Sequence, residues 1–291
     1  KADVLSLLSD VLPHKKASEI LAKTGSKFVH ACSENEDSLS LGVEALKKLE
    51  LYIRDFSKLS NEVSALISVT ETPSMQLPGN STGYLTHSSL TDKLFVIDLN
   101  AGCTGFVDAL RIAKSFNQPS IIVTSETYSK RISGIQRNLT PLFSDAAAAC
   151  FFDPASWIVL GEVSSTEKGT SADLCCEGEV GLFMNGSMVV QFVMERVIPD
   201  LAALIYEFHP THVYLHQGSL FVMDYLRKNL KMPHGVYCPT NVTSVGNTVS
   251  SSIPILIAQT DNRHLPLPGD RVLLSGFGVG LTHSALVLEA R

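Results

Sequence analysis

The sequence predicts an α/β protein made of two similar halves, and three observations predict it. Hydrophobic residues make up 45% of the 291 residues and charged residues only 18%, a globular composition with length for about two domains. Apolar β-rich runs alternate with segments of helical spacing along the chain, which favours strands buried between helix layers. The order strand, turn, helix recurs around Cys103 and Asn247, and a small-residue, strand-like segment follows each unit, FSDAAAACFF in one half and LSGFGVGLTHSALV in the other. Such self-similarity reads as a tandem duplication. The boundary falls near Asp153 to Trp157, giving halves 1–153 and 154–291 that pack as one body, since no long flexible linker separates them.

Leu39, Val43, Leu46 and Leu49 step by 4, 3 and 3 behind an acidic, cap-rich start, which predicts one amphipathic helix over 33–50. Strands follow at Ala65 to Val69 and Leu94 to Leu99, then a helix after Cys103 carrying Phe106, Leu110 and Ala113, then a strand at Ser120 to Thr124. In the second half Val189, Val193, Val197, Leu201 and Leu204 predict a long helix from about Ser187 to Tyr206. A short strand, Val213 to Leu215, leads into His216. Next come a helix over Leu220 to Leu230, a turn at Pro233 to Gly235, an extended segment near Val236 and a helix from about Ser250 to Gln259. The chain closes with a strand at Val272 to Ser275, a turn at Gly276, Gly278 and Gly280, and a strand through Leu286 to Leu288.

Composition excludes several classes. Lys and Arg total 23 against 29 Asp and Glu, a net charge of −6 without long runs of one sign, so no nucleic-acid surface is expected. The longest unbroken apolar run, Ala146 to Phe152, is far short of the roughly 18 residues of a membrane span. Six cysteines (Cys32, Cys103, Cys150, Cys175, Cys176, Cys238) without a C-x-x-C pair form neither a disulfide framework nor a zinc ribbon. With no signal-peptide pattern in Lys-Ala-Asp-Val-Leu, a cytoplasmic setting is expected. His209, His212 and His216 are broken by Pro210 and lack a nearby Cys or acidic ligand, so no metal site is expected.

Three residues stand where chemistry is usually placed. Cys103, in Asn100-Ala-Gly-Cys-Thr-Gly, lies where an apolar strand ends and a helix begins. There the helix dipole and free N–H groups favour the thiolate, lowering the thiol pKa, and Gly102 and Gly105 permit close approach of a substrate. The same position also suits a small core cysteine. His216 sits where a short strand meets a loop, a usual place for catalytic groups in parallel sheets and also for a structural histidine. Asn247 is a neutral donor in Ser244-Val-Gly-Asn-Thr, before a helix, where it could equally be a cap. Cys175 and Cys176 read as a pair on a surface loop.

The sequence resembles the β-ketoacyl-acyl carrier protein synthase III family of the thiolase-like superfamily. The likeness is carried by Lys23-Thr-Gly, DLNAGCTGFVDAL around Cys103, LFSDAAAACFF, FMNGSMVVQFV, HQGS at His216, SVGNTVSSSIP at Asn247 and GFGVGLTHSALVLEA, over about residues 19–290. The family's first strand has no visible counterpart, which carries the expectation of a longer natural chain. The resemblance implies a duplicated, five-layer α-β-α-β-α fold, usually homodimeric. It implies that Cys103 is the nucleophile, with His216 and Asn247 its catalytic partners in a decarboxylative Claisen condensation. The backbone of Cys103 and of the turn holding Val279 and Gly280 would form the oxyanion hole. Leu77 aligns with a position that reaches across the dimer to close the acyl pocket, and is otherwise an ordinary core leucine. Arg227, Lys228 and Lys231, on the helix after His216, would dock an acidic acyl carrier protein, or form a solvated face. No cofactor is implied beyond thioester substrates on phosphopantetheine, coenzyme A or acyl carrier protein.

The sequence departs from the family at Ser219 in HQGS, in the glycine-poor Asp145-Ala-Ala-Ala-Ala, and at Val279 in a usually glycine-rich turn. Glu19 and Phe221 replace the Trp and Arg with which some members hold a coenzyme A nucleotide. Two other readings stay open: acyl transfer to an oxygen, nitrogen or sulfur acceptor without decarboxylation, and a non-catalytic subunit of a heterodimeric synthase.

Overall fold

The computed structural model describes residues 2–5, 14–132, 139–177 and 181–291. Its elements in chain order are β1 (Ala2–Asp3), α1 (His14–Thr24), β2 (Phe28–Val29), α2 (Ser38–Tyr52), β3 (Ala65–Val69), α3 (Asn80–Thr86), β4 (Phe95–Leu99), α4 (Gly105–Phe116), β5 (Ser120–Glu126) and β6 (Ala146–Phe152). Then follow β7 (Trp157–Thr166), β8 (Leu174–Glu177), β9 (Gly181–Met184), α5 (Gly186–Phe192), a π-helical turn (Val193–Val197), α6 (Ile198–Phe208), β10 (His212–Leu215), α7 (Leu220–Asn229), α8 (Ser252–Ala258), β11 (Arg271–Gly278) and β12 (Thr282–Ala290).

Two four-stranded sheets organise the chain, ordered β4-β3-β5-β6 and β10-β11-β12-β7. In the first, β3 is parallel to β4 and β5, and β6 returns antiparallel. In the second, β10 is parallel to β11, and β12 returns antiparallel. Outside β10, Tyr237 bridges in parallel to His212, as β4 pairs in parallel with β3. Cys103 comes soon after β4, and Asn247 comes after the Tyr237 bridge and a short helix, Val242–Val245.

The inner strands are buried on both faces, and strand alternation deals the side chains between layers. Leu66, Ile121 and Val123 pack outward against Val43 and Leu46 of α2. Ile67, Val69 and Ile122 face inward onto Phe106, Leu110 and Ala113 of α4 and Ile253 and Leu256 of α8. The second sheet meets that middle layer with Tyr214, Leu274 and Leu286, and turns Val213, Leu273 and Val287 toward Val193, Val197 and Leu201 outside. The result is the five-layer α-β-α-β-α arrangement, with α4 and α8 between the sheets.

Local chemistry sets the boundaries. Helix α2 starts at Ser38, not at 33, because Asp37 caps it: the Asp37 side chain accepts from Ser40 N and the Ser40 hydroxyl oxygen accepts from Asp37 N. Helix α3 carried no periodic signal; Asp98 of β4 holds its start, accepting from Asn80 N at 2.9 Å and Ser81 N at 3.0 Å. The long helix expected over Ser187 to Tyr206 runs through the π-helical turn, with Val193 and Val197 buried. Near Val236 there is only the single bridge of Tyr237. The expected turn at Gly276, Gly278 and Gly280 shrinks, since β11 continues through Gly278 in register with β12. Cys175 and Cys176 are not on a loop: they lie in β8, paired with Phe183 and Leu182 of β9. Among the described residues no helix is long and apolar enough to cross a membrane.

Candidate active site

Cys103 sits one residue before Thr104, the N-cap of α4, in a turn closed by Gly105 N donating to Gly102 O at 2.8 Å. It is 6% exposed. The other half of the chain closes over it. A Cβ on Gly276 would stand within 3.0 Å of the Cys103 carbonyl and Thr104 Cα, and one on Gly278 would lie 2.5 Å from Cys103 Sγ. Strand β11 therefore needs glycine at both points for close approach to Cys103. Gly102 and Gly105 also provide room, but for protein: Glu71 fills the space at Gly102 and Val69 that at Gly105. That corrects the expectation of substrate approach there.

His216 follows β10 directly, and its N–H donates to Ser275 O of β11 at 2.8 Å. Its ring stands edge-on to Phe277, with centroids 5.4 Å apart. Burial pushes its pKa down to about 4, opposed only in part by the Val249 backbone, so the imidazole is neutral at physiological pH. Nδ1 has no hydrogen-bond partner. Asn247 is pinned by its backbone: its N–H donates to Leu142 O at 2.9 Å and its carbonyl accepts from Ser144 N at 2.8 Å. Its Oδ1 accepts from Val249 N at 2.9 Å, which fixes the amide orientation and leaves Nδ2 as the donor facing the cavity. Val249 holds this arrangement at φ +51°, a conformation disfavoured for a β-branched residue.

One cavity of about 690 Å³ is lined by Cys103, His216 and Asn247 together, with Phe143, Phe277 and Val279 among its apolar walls. Exposed Lys23, Gln191, Glu195 and Phe221 line it too and mark its mouth. Phe221 stacks on Tyr225, while Glu19 lies exposed on α1 and outside the lining. The walls suit an acyl chain or a slender thioester arm.

The electrostatics correct one expectation. Burial and the neighbouring Glu71 carboxyl push the Cys103 thiol far up, and the N–H groups of Val279 and of Cys103 itself offset this only in part. The helix terminus is outweighed, because the sulfur is fully desolvated beside an acidic group. Those same two N–H groups lie beside the sulfur. Gly280, expected beside Val279, is turned away: its carbonyl accepts from Thr170 Oγ1 at 3.1 Å, and it does not line the cavity.

Leu77 is 87% exposed and lines no part of the cavity of its own chain, which rules out the core-leucine reading. It precedes Pro78 and Gly79, beside Asp98 at the edge strand β4. Arg227 and Lys228 are exposed in the last turn of α7; Lys231 lies beyond its end, at φ +46°. Phe221, at the mouth, is in the first turn of this helix, so Arg227 stands roughly 9 Å further along it. Among the described residues no group of three His, Cys, Asp or Glu converges to hold a metal ion.

Sequence reasoning missed an acidic cluster behind Cys103. The Tyr128 hydroxyl donates to Glu71 Oε2. Glu126 accepts from Ser250 Oγ at 2.6 Å, Thr72 Oγ1 at 3.0 Å and Glu71 N at 3.2 Å. Burial raises both carboxyl pKa values. The available signal was a glutamate just past the end of each of two apolar strand runs, Val69-Thr-Glu71 and Thr124-Ser-Glu126.

Comparison with known proteins agrees with this architecture. Residues 97–166 match the family model described as 3-oxoacyl-[acyl-carrier-protein (ACP)] synthase III, and residues 209–290 match its C-terminal counterpart. Beta-ketoacyl-[acyl-carrier-protein] synthase III of Streptococcus pneumoniae (strain Hungary19A-6) is 29% identical over 297 residues, covering 92% of this chain and 89% of that protein. The crystal structure of the synthase III from Thermus thermophilus is similar with a TM-score of 0.84 at 26% identity, over 94% of this chain and 90% of its own. The priming beta-ketosynthase of the R1128 polyketide biosynthetic pathway shares the fold, with a TM-score of 0.85 at 21% identity over 99% of this chain and 92% of its own. With both halves of the family model matched and the fold shared, the chain belongs to the 3-oxoacyl-[acyl-carrier-protein] synthase III family of thiolase-like proteins.

Proposed function

We propose that Cys103 takes an acyl group from a thioester donor, and that a malonyl-type thioester then loses carbon dioxide and condenses with it. The protein is an enzyme, a condensing ketosynthase, and this scheme assigns its residues. The observation that carries the assignment is the lining of one cavity by Cys103, His216 and Asn247, closed over the sulfur by Gly278 and Val279. Covalent capture on Cys103 divides one difficult transfer into two steps. Decarboxylation leaves an enolate whose oxygen accepts from Asn247 Nδ2 and neutral His216; a preorganised donor of this kind contributes roughly 3 to 4 kcal/mol. The carbon then attacks the acyl carbonyl, and the N–H groups of Cys103 and Val279 receive the second oxyanion. The thioester supplies the activation, so the scheme uses no metal or redox cofactor.

The same reading makes acyl carrier protein the partner, a homodimer the working form and a reducing cytoplasm the setting, where the Cys103 thiol persists. Halves 1–153 and 154–291 act as the two arms of one site. Exposed Leu77 and the half-exposed Phe95 on edge strand β4 are the apolar surface that a second copy would cover. In that dimer Leu77 closes the partner's acyl pocket.

Intact-protein mass spectrometry after incubation with a panel of acyl-coenzyme A and acyl-carrier-protein donors tests the scheme. A mass increase of one acyl group on wild type, absent from Cys103→Ala, is expected. Folded wild type that takes no acyl group from any donor, or a mutant that is loaded equally, would overturn it.

Docking has its own expected outcome. Exchange of Arg227, Lys228 and Lys231 for Glu should raise KM for an acyl-carrier-protein donor about tenfold or more while small thioester analogues react unchanged, because the charges guide the acidic carrier alone. Equal losses with both donors would return the three cations to the role of a solvated face.

A further inference from the structure

Behind the wall of the main cavity lies a second one of about 210 Å³, lined by Glu71, Tyr128, Leu174, Val279 and Arg131 among others. Tyr128, Leu174 and Val279 line both cavities, so the Glu71 carboxyl stands one residue's thickness from the thioester channel. It occupies the space at Gly102, next to the nucleophile, where a Cβ would stand within 3.0 Å of both Oε1 and Oε2. Tyr128 gives it a hydrogen bond and packs its ring on Phe143, 5.0 Å between centroids. Hiding a carboxyl from water beside Cys103 costs stability, and nothing in the condensation as drawn above makes use of it.

We propose that Glu71 holds the Cys103 thiol proton during acyl transfer, with the Tyr128 hydroxyl passing the proton between sulfur and carboxylate. The proposal rests on the reading of Cys103 as the acylated nucleophile. As Cys103 Sγ bonds to the donor carbonyl carbon, the S–H proton moves to Tyr128 while Tyr128 passes its own to Glu71, and the carbonyl oxygen becomes an oxyanion at the N–H groups of Cys103 and Val279. When the tetrahedral adduct collapses and the carbon–sulfur bond to the carrier breaks, the proton returns by the same path to the departing thiolate. Protons and electrons balance without a further reactant.

Two features favour Glu71 over His216 for this task. His216 is buried and resists a positive charge. An ionised Glu71 beside the oxyanion hole would oppose the developing negative charge, and taking up the proton neutralises it at the moment that charge forms. The titratable groups facing Glu71 are Glu126 at the end of β5, Tyr128 and Arg131 beyond it, Cys103 ahead of α4, and Cys175 and Cys176 of β8 across the small cavity. Burial and the Glu71 charge hold the Glu126 carboxyl protonated, so the charge of the pair falls to Glu71, which can then accept a proton.

The test compares wild type with Glu71→Gln, Glu71→Asp and Tyr128→Phe, using single-turnover acylation of Cys103 from pH 5 to 9 and, separately, alkylation of Cys103 by iodoacetamide. In Glu71→Gln, acylation should fall about 100-fold or more and lose its acidic limb. Alkylation should shift to lower pH, because a neighbouring negative charge is gone. Faster alkylation with slower acylation is a split that a packing defect does not produce. Glu71→Asp should keep the acidic limb at a reduced rate, and Tyr128→Phe, which retains the ring, should slow acylation alone. If wild type is acylated and Glu71→Gln is acylated as fast or faster, the inference fails and the acylation scheme stands. If wild type takes no acyl group, the scheme itself fails. Should Glu71→Gln not fold, Glu71→Asp and Tyr128→Phe decide, and wild-type rates in both would sink the proposal.

Discussion

An Asn247→Ala variant should load Cys103 within a few-fold of the wild-type rate and yet condense with a malonyl thioester about 100- to 1,000-fold more slowly. The asymmetry follows from the geometry. Asn247 Oδ1 is engaged by Val249 N at 2.9 Å, so the group available to the cavity is Nδ2, the donor that the proposed scheme gives to the enolate oxygen. Acyl loading forms no enolate and does not need it. Removal of the side chain strands the Val249 N–H, a stability cost of about 1 to 3 kcal/mol. Asn247→Asp retains that acceptor and removes the donor, so it should reproduce the condensation defect with less loss of stability. Single-turnover mass spectrometry measures loading, and labelled carbon dioxide release with product formation measures condensation. Matching losses in both steps would make Asn247 a support of the cavity rather than an enolate donor.

Much of the frame is legible in the chain because the strands carry a strong signal. Ala65–Val69 and Ser120–Glu126 are buried along their whole length, and both carry an unbroken apolar stretch, Ala65-Leu-Ile67 and Ile121-Ile-Val123. Two of the junction residues are legible for a related reason: Cys103 and His216 follow strands, where side chains emerge at the end of a sheet, whereas Asn247 follows the short helix Val242–Val245. What escapes the sequence depends on distant contacts. Whether Cys103 is made acidic by its helix or kept protonated by burial is decided by β11 and Glu71, which are 173 and 32 residues away at Gly276 and Glu71 themselves. Glu71 reads as a polar residue after a strand until Gly102 and the β8–β9 hairpin enclose it. Gly280 shares its local sequence with Val279, and only the hydrogen bond from Thr170, 110 residues away, turns it out of the site.

Acidification should expose His216 as a stability switch. Its pKa in the folded protein is about 4, lowered by burial, against an ordinary value of 6.5. Between these values the unfolded chain binds a proton that the folded chain refuses, so stability falls as pH drops from about 6.5 to 4. The loss from this residue is about 3 kcal/mol. His283, also lowered by burial though Asp200 opposes the shift, contributes in the same direction. Glu71 and Glu126 act oppositely: their raised values mean that the folded state gains relative to the unfolded as they take up protons. A comparison of wild type with His216→Gln cancels these shared contributions. Urea midpoints measured from pH 7 to 4 should therefore show wild type losing about 3 kcal/mol more than the variant across this window. Parallel curves would mean that His216 is not held neutral. In the proposed scheme the same neutrality serves the reaction, because an imidazolium beside the enolate would protonate the carbon before it reached the acyl group, whereas a neutral ring donates a hydrogen bond and leaves the carbanion free to attack.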